Sequence, residues 1–220
     1  MQVRILRCTM LVALLVCTPA MAGEAADPDM VPYTIDWAKA GESVVDMSGY
    51  LDPPAGKGGF VRVEGEHLVR PDGTRLRIWG INICGPNAFP PKDQAPAVAD
   101  DLARCGINAV RFHHLDSSWS PLLDKSRKDT QHFDPQVLDR LDFFVAELAK
   151  RGIWSNLNLN VGRRFTAADG VRDAEYLGYG KSATYFSPRL VELQHDYARK
   201  LLTHRNPYTG NEYRHEPAVV

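Results

Sequence analysis

Asn156-Leu157-Asn158-Leu159-Asn160 alternates amide and leucine through five residues. A strand's period of two sends the leucines to one face and the asparagines to the other. In a doubly wound sheet both faces lie beneath helices, so the amides would be buried without hydrogen-bond partners. In a closed barrel one face meets the helices, while the other points inward and toward the site at the barrel's top. The stretch therefore predicts a barrel strand over residues 153–160, with Asn156, Asn158 and Asn160 facing inward.

The flanking sequence repeats one strand–helix unit. Before the strand, Asp134 and Pro135 supply an N-cap and first turn, and Val137, Leu141, Phe144, Val145 and Leu148 form one stripe ending at Gly152. After it, Ser187-Pro188 offers the same capping chemistry to a helix carrying Leu190, Leu193, Tyr197 and Leu201. A further helix is predicted from about Gln94 to Cys105, with Val98, Leu102 and Cys105 on one stripe and Gly106 as its stop. Strands are predicted at residues 76–82 and 108–113, and Pro217-Ala218-Val219-Val220 opens a fourth. This alternation marks a parallel α/β sheet. No glycine-rich phosphate turn follows the first strand, where Ile83-Cys84-Gly85-Pro86 stands. Residues 60–63 and 67–70 read as a small β-hairpin turning at Gly65-Glu66, and residues 23–59 as an extension and connector.

Loops after the second and third strands, about residues 114–133 and 161–186, far exceed the turns at the other end. In such folds the carboxyl ends of the strands carry the site. Trp119, Phe165, Tyr176, Tyr179, Tyr185 and Phe186 argue against disorder there, and serve equally to pack the loops or to stack on sugar rings.

With 26 Lys+Arg against 27 Asp+Glu in 220 residues, the chain lacks the basic excess of a general nucleic-acid or polybasic membrane binder. Arg4 and Arg7, the apolar run from Met10 to Val16 and the small-x-small Ala20-Met21-Ala22 read as a signal peptide over residues 1–22. A secreted or periplasmic protein is expected, without membrane insertion after cleavage. Cys84 and Cys105, at opposite ends of a strand–helix unit, are expected as separate thiols.

In Asn108-Ala109-Val110-Arg111-Phe112-His113-His114-Leu115-Asp116, Val110 and Phe112 suit the helix side, so Arg111 and His113 point inward. A guanidinium there calls for an anion, from protein or substrate. A structural ion pair with a core histidine satisfies the same pattern. His113, His114 and Asp116 suit a metal only if the strand ends between the histidines. Arg163-Arg164 fits either an acidic sugar or a solvated loop.

Arg77-Ile78-Trp79-Gly80-Ile81-Asn82 and Gly106-Ile107-Asn108-Ala109-Val110-Arg111-Phe112-His113-His114 resemble strands one and two of glycoside hydrolase family 5, in its exported, cellulase-like branch. Tyr33-Thr34-Ile35-Asp36-Trp37, Pro54-Ala55-Gly56-Lys57 and Asn206-Pro207-Tyr208-Thr209-Gly210 extend the match. The resemblance implies a (β/α)8 TIM barrel and retaining hydrolysis of β-glycosidic bonds in an oligo- or polysaccharide, with no metal or cofactor. It places Arg111 beside the nucleophile and Asn82, His113 and His114 along the adjoining sugar subsite. Asn158 and Asn160 are further candidates, Asn160 standing where many relatives carry a histidine. Its catalytic glutamates belong to strands four and seven, so residues 60–220 are expected to be the first three and a half units of a truncated barrel, inactive alone. A non-catalytic carbohydrate-binding barrel and a metal-dependent hydrolase are the competing readings.

Overall fold

The computed structural model describes residues 44–220. The proposed signal peptide and Tyr33-Thr34-Ile35-Asp36-Trp37 lie outside the described residues. An antiparallel hairpin, β1 (Arg62–Glu64) and β2 (His67–Val69), precedes the main sheet. The order then runs β3 (Gly80–Cys84), α1 (Ala95–Arg104), β4 (Ala109–His113), α2 (Pro135–Lys150), β5 (Trp154–Leu157) and α3 (Pro188–Leu202).

The three long strands are parallel in the order β3-β4-β5. The last residues continue the series: Ser155 N donates to Ala218 O at 2.9 Å and Val220 N to Ser155 O at 2.9 Å, around a parallel bridge at Val219. The fourth segment thus pairs with the third. In the doubly wound order 3-2-1-4 it would pair with the first. The helices agree, because α1, α2 and α3 share one core with Ile83, Val110, Phe112 and Leu157 of the sheet. Helices confined to one face leave the other for a barrel interior.

Two helices follow their stripes closely. Asp134 Oδ1 accepts from the backbone N–H groups of Gln136 and Val137 at 2.9 and 3.0 Å, and all five named apolar residues of α2 are buried. Leu190, Leu193, Tyr197 and Leu201 are the buried set of α3, although the Ser187 side chain makes no capping bond. The face of α1 differs from the sequence reading. Ala95, Ala99 and Ala103 are buried, Val98 and Leu102 only flank the core, and Cys105 is an exposed C-cap. The small side chains bring α1 close to its neighbours, a preference that a count of large apolar residues overlooks.

The strands are shorter than periodicity implied. Asn108 bridges the entry to β3 with its amide, which donates to Arg77 O at 2.7 Å and accepts from Trp79 N at 2.8 Å. That side chain does there what a backbone ladder would have done. At the other end β5 stops at Leu157, leaving Asn158 and Asn160 outside the strand. Val161 and Gly162 instead donate their N–H groups to the Asp116 carboxylate at 2.8 and 3.1 Å.

Candidate active-site face

The sheet register stacks inward side chains in rows. Gly80, Ala109 and Trp154 form the lowest, and Ala109 and Trp154 join Leu76 and Ala218 in a small apolar cluster. One step higher, Asn82, Arg111 and Asn156 stand side by side. Above them Cys84 pairs in register with His113. The side chains thus change from apolar to polar along one face, toward the carboxyl ends of the strands.

The Arg111 side chain is exposed on this face and makes no hydrogen bond or ion pair with any described residue. The anion it calls for is therefore not among the described carboxylates. Asn156 donates to Val220 O at 2.7 Å, which ties the middle row to the fourth segment. An open groove of about 610 Å³ runs along Asn82, Arg111, Asn156 and Val220. A hollow of about 540 Å³, lined by Lys57, Arg70 and Trp154, lies at the amino end of β5 and contains none of the candidate residues.

The histidines converge because β4 ends between them. His113 closes the strand, and His114 takes a left-handed φ of 60°. Their ring centroids lie 4.1 Å apart. His113 Nδ1 is 2.5 Å from Asn158 Oδ1, and His114 Nδ1 is 2.8 Å from Ser117 Oγ. Trp119 packs 5.0 Å from His114 and lies over Gly85, where any Cβ would meet its ring at 2.2 Å. Burial, then the neighbouring His113, holds the His114 imidazole below its ordinary pKa. Asn160 instead donates to Thr184 Oγ1 at 3.3 Å and takes no part in the histidine cluster's hydrogen bonds.

Asp116 is buried with its carboxylate on two backbone N–H groups, and no group of three or more potential ligands occurs among the described residues. Cys84 and Cys105 are separate thiols.

The two long loops are joined into one cap. Thr130 donates to the Asp169 carboxylate from its backbone and hydroxyl at 2.9 and 3.0 Å, and Thr166 N donates to the same group at 2.8 Å. Arg163 belongs to this joint and is neither a sugar ligand nor solvated. It is 4% exposed, donates to Thr130 Oγ1, Thr130 O and Leu193 O, and lies over the Phe165 and Tyr197 rings. Phe165 packs inward, while Tyr176, Tyr179, Tyr185 and Phe186 are exposed. The sequence reading missed Asp169, although Thr166-Ala167-Ala168-Asp169 carries a capping-box signature.

No family model matches the chain. The mannan endo-1,4-beta-mannosidase 2 of Oryza sativa subsp. japonica is 33% identical over 97 residues, 40% of this chain and 21% of that protein. The crystal structure of an endo-1,4-beta-mannanase from Rhizomucor miehei aligns with a TM-score of 0.56 at 20% identity, covering 73% of this chain and 46% of that one. A glycoside hydrolase family 5 mannosidase from the same organism aligns at 0.52 and 17% identity, covering 73% and 47%. The resemblance read from the strands is thus what the structural comparison returns, and the α/β fold resembles that family's TIM barrel. The chain spans about half the length of these solved structures and about a fifth of the curated relative.

Proposed function

We propose that this chain contributes the amino-terminal part of an exported glycoside hydrolase that cleaves β-linked polysaccharide with retention, β-1,4-mannan being the first substrate to test. The observation that carries the reading is Arg111, unpaired on the inner face in one row with Asn82 and Asn156. Retaining hydrolysis uses two carboxyl groups about 5–5.5 Å apart, one attacking the anomeric carbon and one protonating the leaving oxygen. A fixed guanidinium beside the attacking carboxylate keeps it ionised and oriented. Asn82 supplies a hydroxyl-binding group in the groove, and His113, one row higher on the same face, stands with His114 and Trp119 beyond its lining. By the resemblance the two carboxylates belong to strands four and seven, of which this chain holds only the opening of the fourth, so the 220-residue chain is expected to be inactive by itself. The mannanase names of its relatives support the choice of substrate.

The test compares the 220-residue chain with the product of its whole gene on β-1,4-mannan and on cellulose. Reducing-sugar release from mannan by the whole product alone is expected, with retained anomeric configuration by NMR. Binding without release by the whole product would instead favour a carbohydrate-binding barrel.

A further inference from the structure

We propose that the cavity between the two joined loops is an anion-binding site that takes a carboxylate-bearing sugar unit. The cavity holds about 230 Å³, room for one small charged group. Lys125, Arg127 and Lys128 reach it from the loop after β4, and Arg164 from the loop after β5. Lys125, Lys128 and Arg164 form no ion pair with a described residue, and Arg127 lies 3.5 Å from Asp124.

Three carboxylates share the lining, yet each is committed within its own loop architecture. Asp116 accepts from Val161 and Gly162 N–H groups, Asp124 from the backbone and hydroxyl of Ser126, and Asp129 from Gln131 N and His132 Nδ1. Those hydrogen bonds hold Asp124 and Asp129 below the usual carboxylate range, and for Asp124 the hydroxyl of Ser126 acts first. The carboxylates keep their charge, so the lining carries four cations against three anions, with Asp124 shared with Arg127 and the other three cations free of ion pairs with described residues. Thr166 Oγ1 donates to Lys128 O at 2.8 Å and so fixes the backbone carrying one cation against the opposite wall. Cations gathered at a concave surface attract an oxyanion and bind it through charge-assisted hydrogen bonds. Arg164, flanking the Tyr179 ring at 5.0 Å, adds a planar donor suited to a carboxylate.

The anion chemistry stands on the cavity; a glycan as its carrier rests on the glycosidase reading. Calorimetric titration of the 220-residue chain with sodium glucuronate, inorganic phosphate, glucose and a neutral β-1,4-manno-oligosaccharide tests both. Glucuronate is expected to bind at least about tenfold more tightly than glucose and to weaken as salt screens the cations. Lys128→Gln and Arg164→Gln should each weaken it about three- to tenfold. These side chains are exposed, so the variants keep the fold. Arg172→Gln removes a cation 94% exposed and absent from the lining, and should change nothing. Equal affinity for glucuronate and glucose, or equal weakening by Arg172→Gln, overturns the site. Phosphate binding without glucuronate binding overturns the sugar as the anion's carrier. Glucuronate binding by the 220-residue chain, with no sugar release from mannan by the whole gene's product, leaves the cavity standing and overturns the glycosidase reading.

Discussion

The loop cap and the inner face of the sheet treat charge in opposite ways. In the cap, Asp116 and Asp169 are buried and receive N–H groups from across the loop–loop seam, and Arg163 reaches two backbone carbonyls and a hydroxyl. On the inner face Arg111 stands exposed with no partner among the described residues. A charge that is buried and satisfied holds structure together, because removing one partner orphans the others. A charge left open beside a groove awaits a group that arrives later.

The largest effect should come from Arg111. In the hydrolytic product of the whole gene, Arg111→Ala is expected to lower kcat by about 10²–10³, the usual scale for losing one electrostatic contact at the reacting centre. Its Tm should stay close to wild type. A large drop in Tm with unchanged kcat would make Arg111 as structural as the charges of the cap.

Asp169→Ala should reverse the pattern. It strands the Thr130 and Thr166 backbone donors in the seam, so a loss of about 2–4 kcal/mol in unfolding free energy is expected. Denaturant melts of the 220-residue chain read this directly, and an unchanged midpoint would show that the loops are not joined.

Arg163→Lys keeps the charge but loses the planar fork and its stacking on Phe165. About 1–3 kcal/mol should be lost in the same melts. Full stability would mean that charge alone, rather than geometry, holds this joint.

The smallest effect is a pH dependence at His114, which lies between the two regions. Its folded pKa is held below the ordinary 6.5, so the unfolded chain binds the proton more readily. The stability it contributes is present above about pH 6.5 and is lost as pH falls through the folded value. Wild type should therefore lose stability relative to His114→Gln between about pH 7 and pH 5. A gap constant over that range would place the imidazole in ordinary solvent.

How much of this was legible in the sequence differs from element to element. The stripes of α2 and α3, the Asp134 cap and the inward face of β4 are local properties. A helix or strand period already decides which residues share a face. The strand-one and strand-two resemblance likewise pointed to the barrel fold before any contact was known. Tertiary structure decided what depends on partners distant in the chain. Asp116 ties down the start of the loop after β5 by taking the N–H groups of residues 45 and 46 positions away. Arg163 is buried because Thr130 and Leu193, each 30 or more positions distant, present oxygens to it. His113 and His114 meet because the chain turns left-handed at the strand's end, which alternation along a strand cannot announce. A residue's face follows from its neighbours in sequence, but its burial and its charge partner follow from loop closure across the fold.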